Sequence, residues 1–185
     1  MKKQFVTLLS TLVLSTTALA ATETYTIDNK HSFANFTIRH VVSKTSGTLT
    51  DITGVIRVDT EQLENAVASI STGLDKRDEH IKKADYLDVL NFGDITFVSK
   101  SIKATSATEG EMTGDFTMHG VTKEIILPFK VLGFGTDPWG GLRSGFEAST
   151  VIKASDYGFT WMKKDNAPVG DDIEVTLLIE GIKAK

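Results

Sequence analysis

From Thr24 onward the chain alternates apolar and polar residues with a period of two, and this pattern limits the possible folds more than any other feature of the sequence. Successive side chains of a strand point to opposite faces, so such alternation gives each segment one apolar and one polar face; a helix would need a period of 3.6. The runs "SFANFTIRH", "TGVIRVD", "ASISTGL", "DITFVSKSI", "GEMTGDFTMHG", "TKEIILPFKVLGF", "GLRSGFEASTVIKA" and "DIEVTLLIEGIKA" read as eight or nine strands. Clusters of Gly, Asp, Asn and Ser separate them at short spacing, without strand–helix alternation. The expectation is therefore all-β, an antiparallel barrel or sandwich. Two helices are predicted to interrupt it. One spans 59–66 ("DTEQLENA"), where Asp-Thr offers capping chemistry. The other spans 75–90 ("DKRDEHIKKADYLDVL"), with acidic residues early and Ile81, Ala84 and Leu87 on one face.

Parity then assigns faces. Ala34, Phe36, Ile38 and His40 share one side of their strand, and His31, Phe33, Asn35, Thr37 and Arg39 share the other. The same rule groups Ile95 with Phe97; Met112 with Gly114, Phe116 and Met118; Ile125 with Leu127, Phe129 and Val131; and Ile173 with Val175, Leu177 and Ile179. One face of the sheet is long-chain apolar almost throughout.

The chain opens Met1-Lys2-Lys3 and runs through "QFVTLLSTLVLSTTALA" to Ala18-x-Ala20. A basic start, a short apolar stretch and a small-residue cleavage site predict a secretory signal over 1–20 and a single domain over 21–185. The apolar part is shorter than the ~20 residues a membrane-spanning helix needs, and no later stretch approaches that length. Loss of Lys2 and Lys3 takes the formal charge from -4 to -6, an acidic balance that argues against nucleic acid as a partner. There is no cysteine, which excludes disulfides, thiol catalysis and thiolate metal sites.

Familiar catalytic and metal spacings are missing. His31 and His40 would face opposite sides of an unbroken strand, roughly 30 Å apart at ~3.3 Å per residue. His80 lies on the predicted helix and His119 at a strand end, without the i, i+4 spacing of a helical zinc pair, so no metal site is expected. There is no Gly-x-Ser-x-Gly elbow, His-Glu-x-x-His or phosphate-cradling glycine loop, and 75–80 reads as a charged first helical turn. "GFGTDPWGGLRSGFEAS" is less ordinary: Asp137-Pro138 and Gly140-Gly141 form a tight turn around Trp139. Trp139 is either a hairpin tip covering the core or an aromatic lid at a cavity mouth with Arg143 beside it.

Several separated segments carry a resemblance. His31-Ser32 with Phe36 and His40, Arg77-x-x-His80, "TGDFTMHGVTKEIIL", "DPWGGLRSGFEA", "ASDYGF" and "EVTLLIEG" together resemble the YceI-like family of lipocalin-like polyisoprenoid-binding proteins, in the family's order and over essentially the whole chain after residue 20. The resemblance implies an extended antiparallel lipocalin-like β-barrel in the periplasm. Its apolar tunnel would sequester or carry a polyisoprenoid, a quinone tail or a fatty amide, with no cofactor required beyond that lipid. An eight-stranded barrel is just wide enough to be filled by its own side chains or to hold one slender ligand, and the same residues serve either arrangement. The expected lining is Phe36, Ile38, Phe97, Phe116, Met118, Phe129 and Phe146, with His40 and Trp139 as gates. Arg143 joins Arg39, Arg77 and Lys123 as candidate cations for a head group. The expected partners are the isoprenoid-type lipid and no nucleic acid or membrane span, with room for a homodimer. Two alternatives stand beside this reading: a periplasmic enzyme using His31, His40 or His119 as acid or base, and a ligand-free filled barrel.

Overall fold

The alternating segments hydrogen-bond in sequence into one antiparallel sheet that closes on itself. The computed structural model describes residues 23–58, 62–71, 73–163 and 166–184, and the predicted signal over 1–20 lies outside the described residues. The strands are β1 (Glu23–Ile27), β2 (Phe33–His40), β3 (Ser43–Val58), β4 (Gln62–Ser71), β5 (Ile95–Ala104), β6 (Glu109–Met118), β7 (Val121–Thr136), β8 (Leu142–Lys153) and β9 (Val169–Lys183). Helix α1 (Asp75–Ile81) lies between β4 and β5, and two single turns of 3₁₀ helix (Ala154–Tyr157 and Trp161–Lys163) lie between β8 and β9. Neighbours from β2 to β9 pair in order and β9 pairs back onto β2, so no long open edge remains among the described residues.

Nine strands occupy eight positions because β1 and β2 share one. Both pair with β3 and β9, end to end, with residues 28–32 turning between them. Ser32 repairs the break. Its hydroxyl accepts from the Glu180 N–H at 3.0 Å and donates to the Glu180 carbonyl at 3.3 Å, while the Asp28 N–H reaches that carbonyl at 2.8 Å. The backbone of β9 is thus satisfied where its partner strand is interrupted.

The predicted helices need correction. Residues 62–66 of the first are strand β4, and 59–61 lie outside the described residues. β4 pairs with β3 over nine positions and with β5 over four, and without it both neighbours would present open edges. The second helix ends at Ile81 rather than at 90. Beyond it the Leu87 N–H bonds to the Ile81 carbonyl at 2.9 Å and Asp88 adopts a positive φ of 47°, which folds the chain back across the barrel end.

The two ends of the barrel differ. At one end, near Glu23, the 137–141 turn and Lys183, the lumen is filled by Tyr25, Ile27, Ile52, Ile56 and Ile179, with Phe146 packed against them. At the other, Met118, Ile152, Ala154, Tyr157 and Phe159 form a cluster toward the 3₁₀ turns, and the lumen beside them is hollow. The first and last described residues run side by side at the filled end, where the Ala184 N–H bonds to the Thr24 carbonyl at 2.8 Å.

Candidate functional site

The inward positions of the strands build the hollow half. Ala34, Phe36 and Ile38 of β2 lie beside their register partners Leu177, Val175 and Ile173 of β9, with His40 at the strand end, and Ile95, Phe97, Phe116, Met118, Ile125 and Leu127 supply the opposite wall. They enclose about 410 Å³, within the usual range of roughly 300–1,000 Å³ for sites that hold small molecules. Small residues let the large ones fit. A Cβ on Gly114 would lie 2.6 Å from the Phe97 ring, so that ring rests directly on the backbone of β6.

Polar atoms collect at the open end. His40, Thr45, Arg77, His80, Tyr86 and Trp161 line this part of the cavity together with Pro168. Arg77 and His80 are three positions apart on α1 and so point the same way. The Arg77 guanidinium donates to Thr45 Oγ1 at 3.1 Å, and Trp161 Nε1–H donates to the Gly170 carbonyl at 3.0 Å. Tyr86 stacks on Trp161 with centroids 5.6 Å apart and meets the His80 ring edge-on at 4.9 Å. From Trp161 the ring contacts continue to Phe159 at 4.4 Å, His119 at 4.6 Å and Phe92 at 4.7 Å. This series fastens the segment after α1 across the barrel end. An apolar interior with donors at one mouth suits an amphiphile entering tail first.

Of the residues singled out by sequence, Phe36, Ile38, His40, Phe97, Phe116 and Met118 line this cavity. Phe129 and Phe146 do not. They face a smaller space of about 60 Å³ nearer the filled end, with Ile102 and Met112. Trp139 is no gate, because it stands 86 % exposed on the β7–β8 turn at the end opposite the mouth. Asp137 fixes that turn by accepting from the Trp139 and Gly141 N–H groups at 3.0 and 2.8 Å.

Arg143 is also far from the mouth. Its guanidinium lies 2.6 Å from Asp28, 2.9 Å from Asp137 and 2.9 Å from Glu180. The hydrogen bond from His31, then that from Arg143, holds the Asp28 carboxyl below its ordinary pKa. Asp137 is lowered first by the Gly141 N–H and then by Arg143. Asp28, His31 and Glu180 come within 4.8 Å of one another, but the guanidinium already supplies the positive charge at this cluster. Arg39 donates to the Val41 and Ala167 carbonyls, and Lys123 pairs with Asp156. Of the four candidate cations, Arg77 is the one that lines the cavity. His119 stands outside it, with Nδ1 3.2 Å from the Tyr157 carbonyl.

Sequence reading missed Thr45, Tyr86 and Trp161 at the mouth. The i, i+3 pair Arg77 and His80 was a usable signal, whereas Trp161 in a short 3₁₀ turn carried none.

The sequence model of the YceI-like domain matches residues 25–181. The chain belongs to the YceI-like family. This YceI-like chain is 40% identical over 169 residues to a UPF0312 protein of Ectopseudomonas mendocina (strain ymp), a match covering 86% of this chain and 87% of the relative. The crystal structure of the Campylobacter jejuni YCEI protein shares 27% identity with a TM-score of 0.70, covering 78% of this chain and 88% of that one. A polyisoprenoid binding domain from Saccharophagus degradans, implicated in plant cell wall breakdown, superposes with a TM-score of 0.70 at 16% identity, over 86% of this chain and 98% of that one. At that identity the last likeness concerns the fold.

Proposed function

We propose that this YceI-like protein binds one amphiphilic lipid, with an isoprenoid or similarly slender tail in the hollow half of the barrel, and sequesters or carries it in the periplasm. One observation carries the reading: a cavity of about 410 Å³ whose walls are apolar and whose donors and rings gather at its open end. Phe36, Ile38, Phe97, Phe116 and Met118 contact the tail, and His40, Arg77 and His80 meet the head group. Burying a methylene contributes roughly 0.8 kcal/mol, so a five-carbon isoprene unit contributes about 3 to 4 kcal/mol before ordering costs, against about 1 kcal/mol for a net hydrogen bond. Tail length then governs affinity more than head-group chemistry. The polyisoprenoid-binding description of a fold neighbour agrees with this reading.

Native mass spectrometry of the protein purified from its own cells, followed by organic extraction, tests it. The expected result is a stoichiometric apolar adduct with a prenyl or acyl fragmentation pattern. Phe116→Trp, which fills the lumen beside Tyr157, abolishes or sharply reduces that adduct while the circular dichroism and cooperative melt are kept. A clean mass that long prenyl alcohols cannot shift overturns the reading in favour of the ligand-free barrel. Turnover of a bound lipid that disappears in His40→Ala overturns it in favour of an enzyme.

A further inference from the structure

We propose that Phe97 and Leu127 form an internal partition that sets the length of tail the barrel accepts. This deepens the lipid-binding reading and rests on it. The main cavity and the 60 Å³ space share Leu127, Leu177 and Ile179 as walls, so a single layer of side chains divides them. Phe97 borders only the larger space, and Met112 and Ala148 border only the smaller. Phe97, Met112, Leu127 and Ala148 pack in one buried cluster between the two.

The partition is held rigidly. The Phe97 ring lies on Gly114, where a Cβ would stand 2.6 Å from one ring carbon and 2.9 Å from another, so the ring cannot move outward through β6. The arrangement repeats one step deeper. The Phe129 ring lies on Gly110, where a Cβ would stand 2.7 Å away, and it borders the smaller space. Two phenyl rings on two glycines of the same strand thus make a stepped floor. A tail entering from His40 meets the Phe97 and Leu127 layer first, and behind that layer lies room for a few more atoms if the ring is removed. Further on, Tyr25 and Ile27 close the barrel.

The consequence is a break in affinity against chain length. Each methylene that enters the main cavity tightens binding about 4-fold, and a methylene that reaches the partition adds nothing. The test uses straight-chain primary alcohols lengthened one carbon at a time and titrated by displacement of a fluorescent apolar probe. Wild-type protein shows the steep rise followed by a plateau. Phe97→Ala moves the break to longer chains, and Ala148→Leu added to it fills the smaller space and moves the break back. Phe97→Leu, the milder change, moves it in the same direction by less and serves if Phe97→Ala does not fold. A break that stays in place in either single variant, with a wild-type circular dichroism spectrum, overturns the partition alone. Absence of binding at every chain length overturns the lipid reading and the partition with it.

Discussion

Arg143 draws together carboxylates from three distant parts of the chain, and its surroundings give it a structural role at the filled end. Asp28 and Asp137 are both held below the ordinary carboxyl pKa, so the unfolded chain takes up protons before the folded one does. Their contribution is complete above the unfolded value of about 4 and is lost as the pH falls through the lower folded values. We expect the thermal midpoint to decline on acidification below about pH 5. Arg143→Gln lowers the midpoint at neutral pH and partly flattens that decline, because the bonds from His31 and the Gly141 N–H remain while the guanidinium's are lost; a variant with the wild-type acid slope would show that Arg143 is not a cause. None of this was legible in local spacing, since Asp28 lies 115 positions from Arg143. Phe116 and Phe146 likewise sit at similar inward positions of their strands, yet one faces the main cavity and the other the smaller space. Parity assigns a face and says nothing of depth along the barrel.

The broken position shared by β1 and β2 puts unusual weight on one short side chain. Ser32→Ala leaves the half-buried Glu180 N–H without its acceptor, while the Glu180 carbonyl keeps the bond from Asp28. Denaturant unfolding should show a loss of about 1 kcal/mol, the net worth of an ordinary hydrogen bond, because the orphaned donor is only half-buried. A loss below a few tenths of a kcal/mol would mean that another group satisfies that donor. At this scale the alternating strands were readable because one face of each packs inward. β4 was misread because Asp-Thr followed by Glu, Gln, Leu, Glu, Asn and Ala has the capping and composition of a helix. The demand that made it a strand, closure between β3 and β5, comes from residues far along the chain. The second helix stops early for a related reason: the Leu87 N–H bonds back to the Ile81 carbonyl, and Tyr86 and Leu87 line the cavity through contacts with distant segments that local spacing does not encode.

Taken whole, the barrel is solid at one end and hollow at the other, which divides structural support from ligand capacity. A guest that binds only the folded state raises the melting point with concentration, by about 2.7 kcal/mol of stabilisation at a hundredfold excess over Kd. Hydrogen exchange should then slow most in α1 and the segment behind it, where His80, Tyr86 and Leu87 line the cavity, and least in β1. Uniform slowing across both ends would instead indicate that the guest stabilises the barrel as one unit. The antiparallel barrel itself could be read from periodicity, but the choice between a filled and an open lumen could not. The two conditions coexist in one molecule. The first and last described residues leave together from the solid end, where Ala184 bonds to Thr24. A molecule tethered to a sensor surface beside Thr24 or Ala184 would therefore hold its opening toward the bulk solution, and affinities measured on such a surface should equal those of the untethered protein.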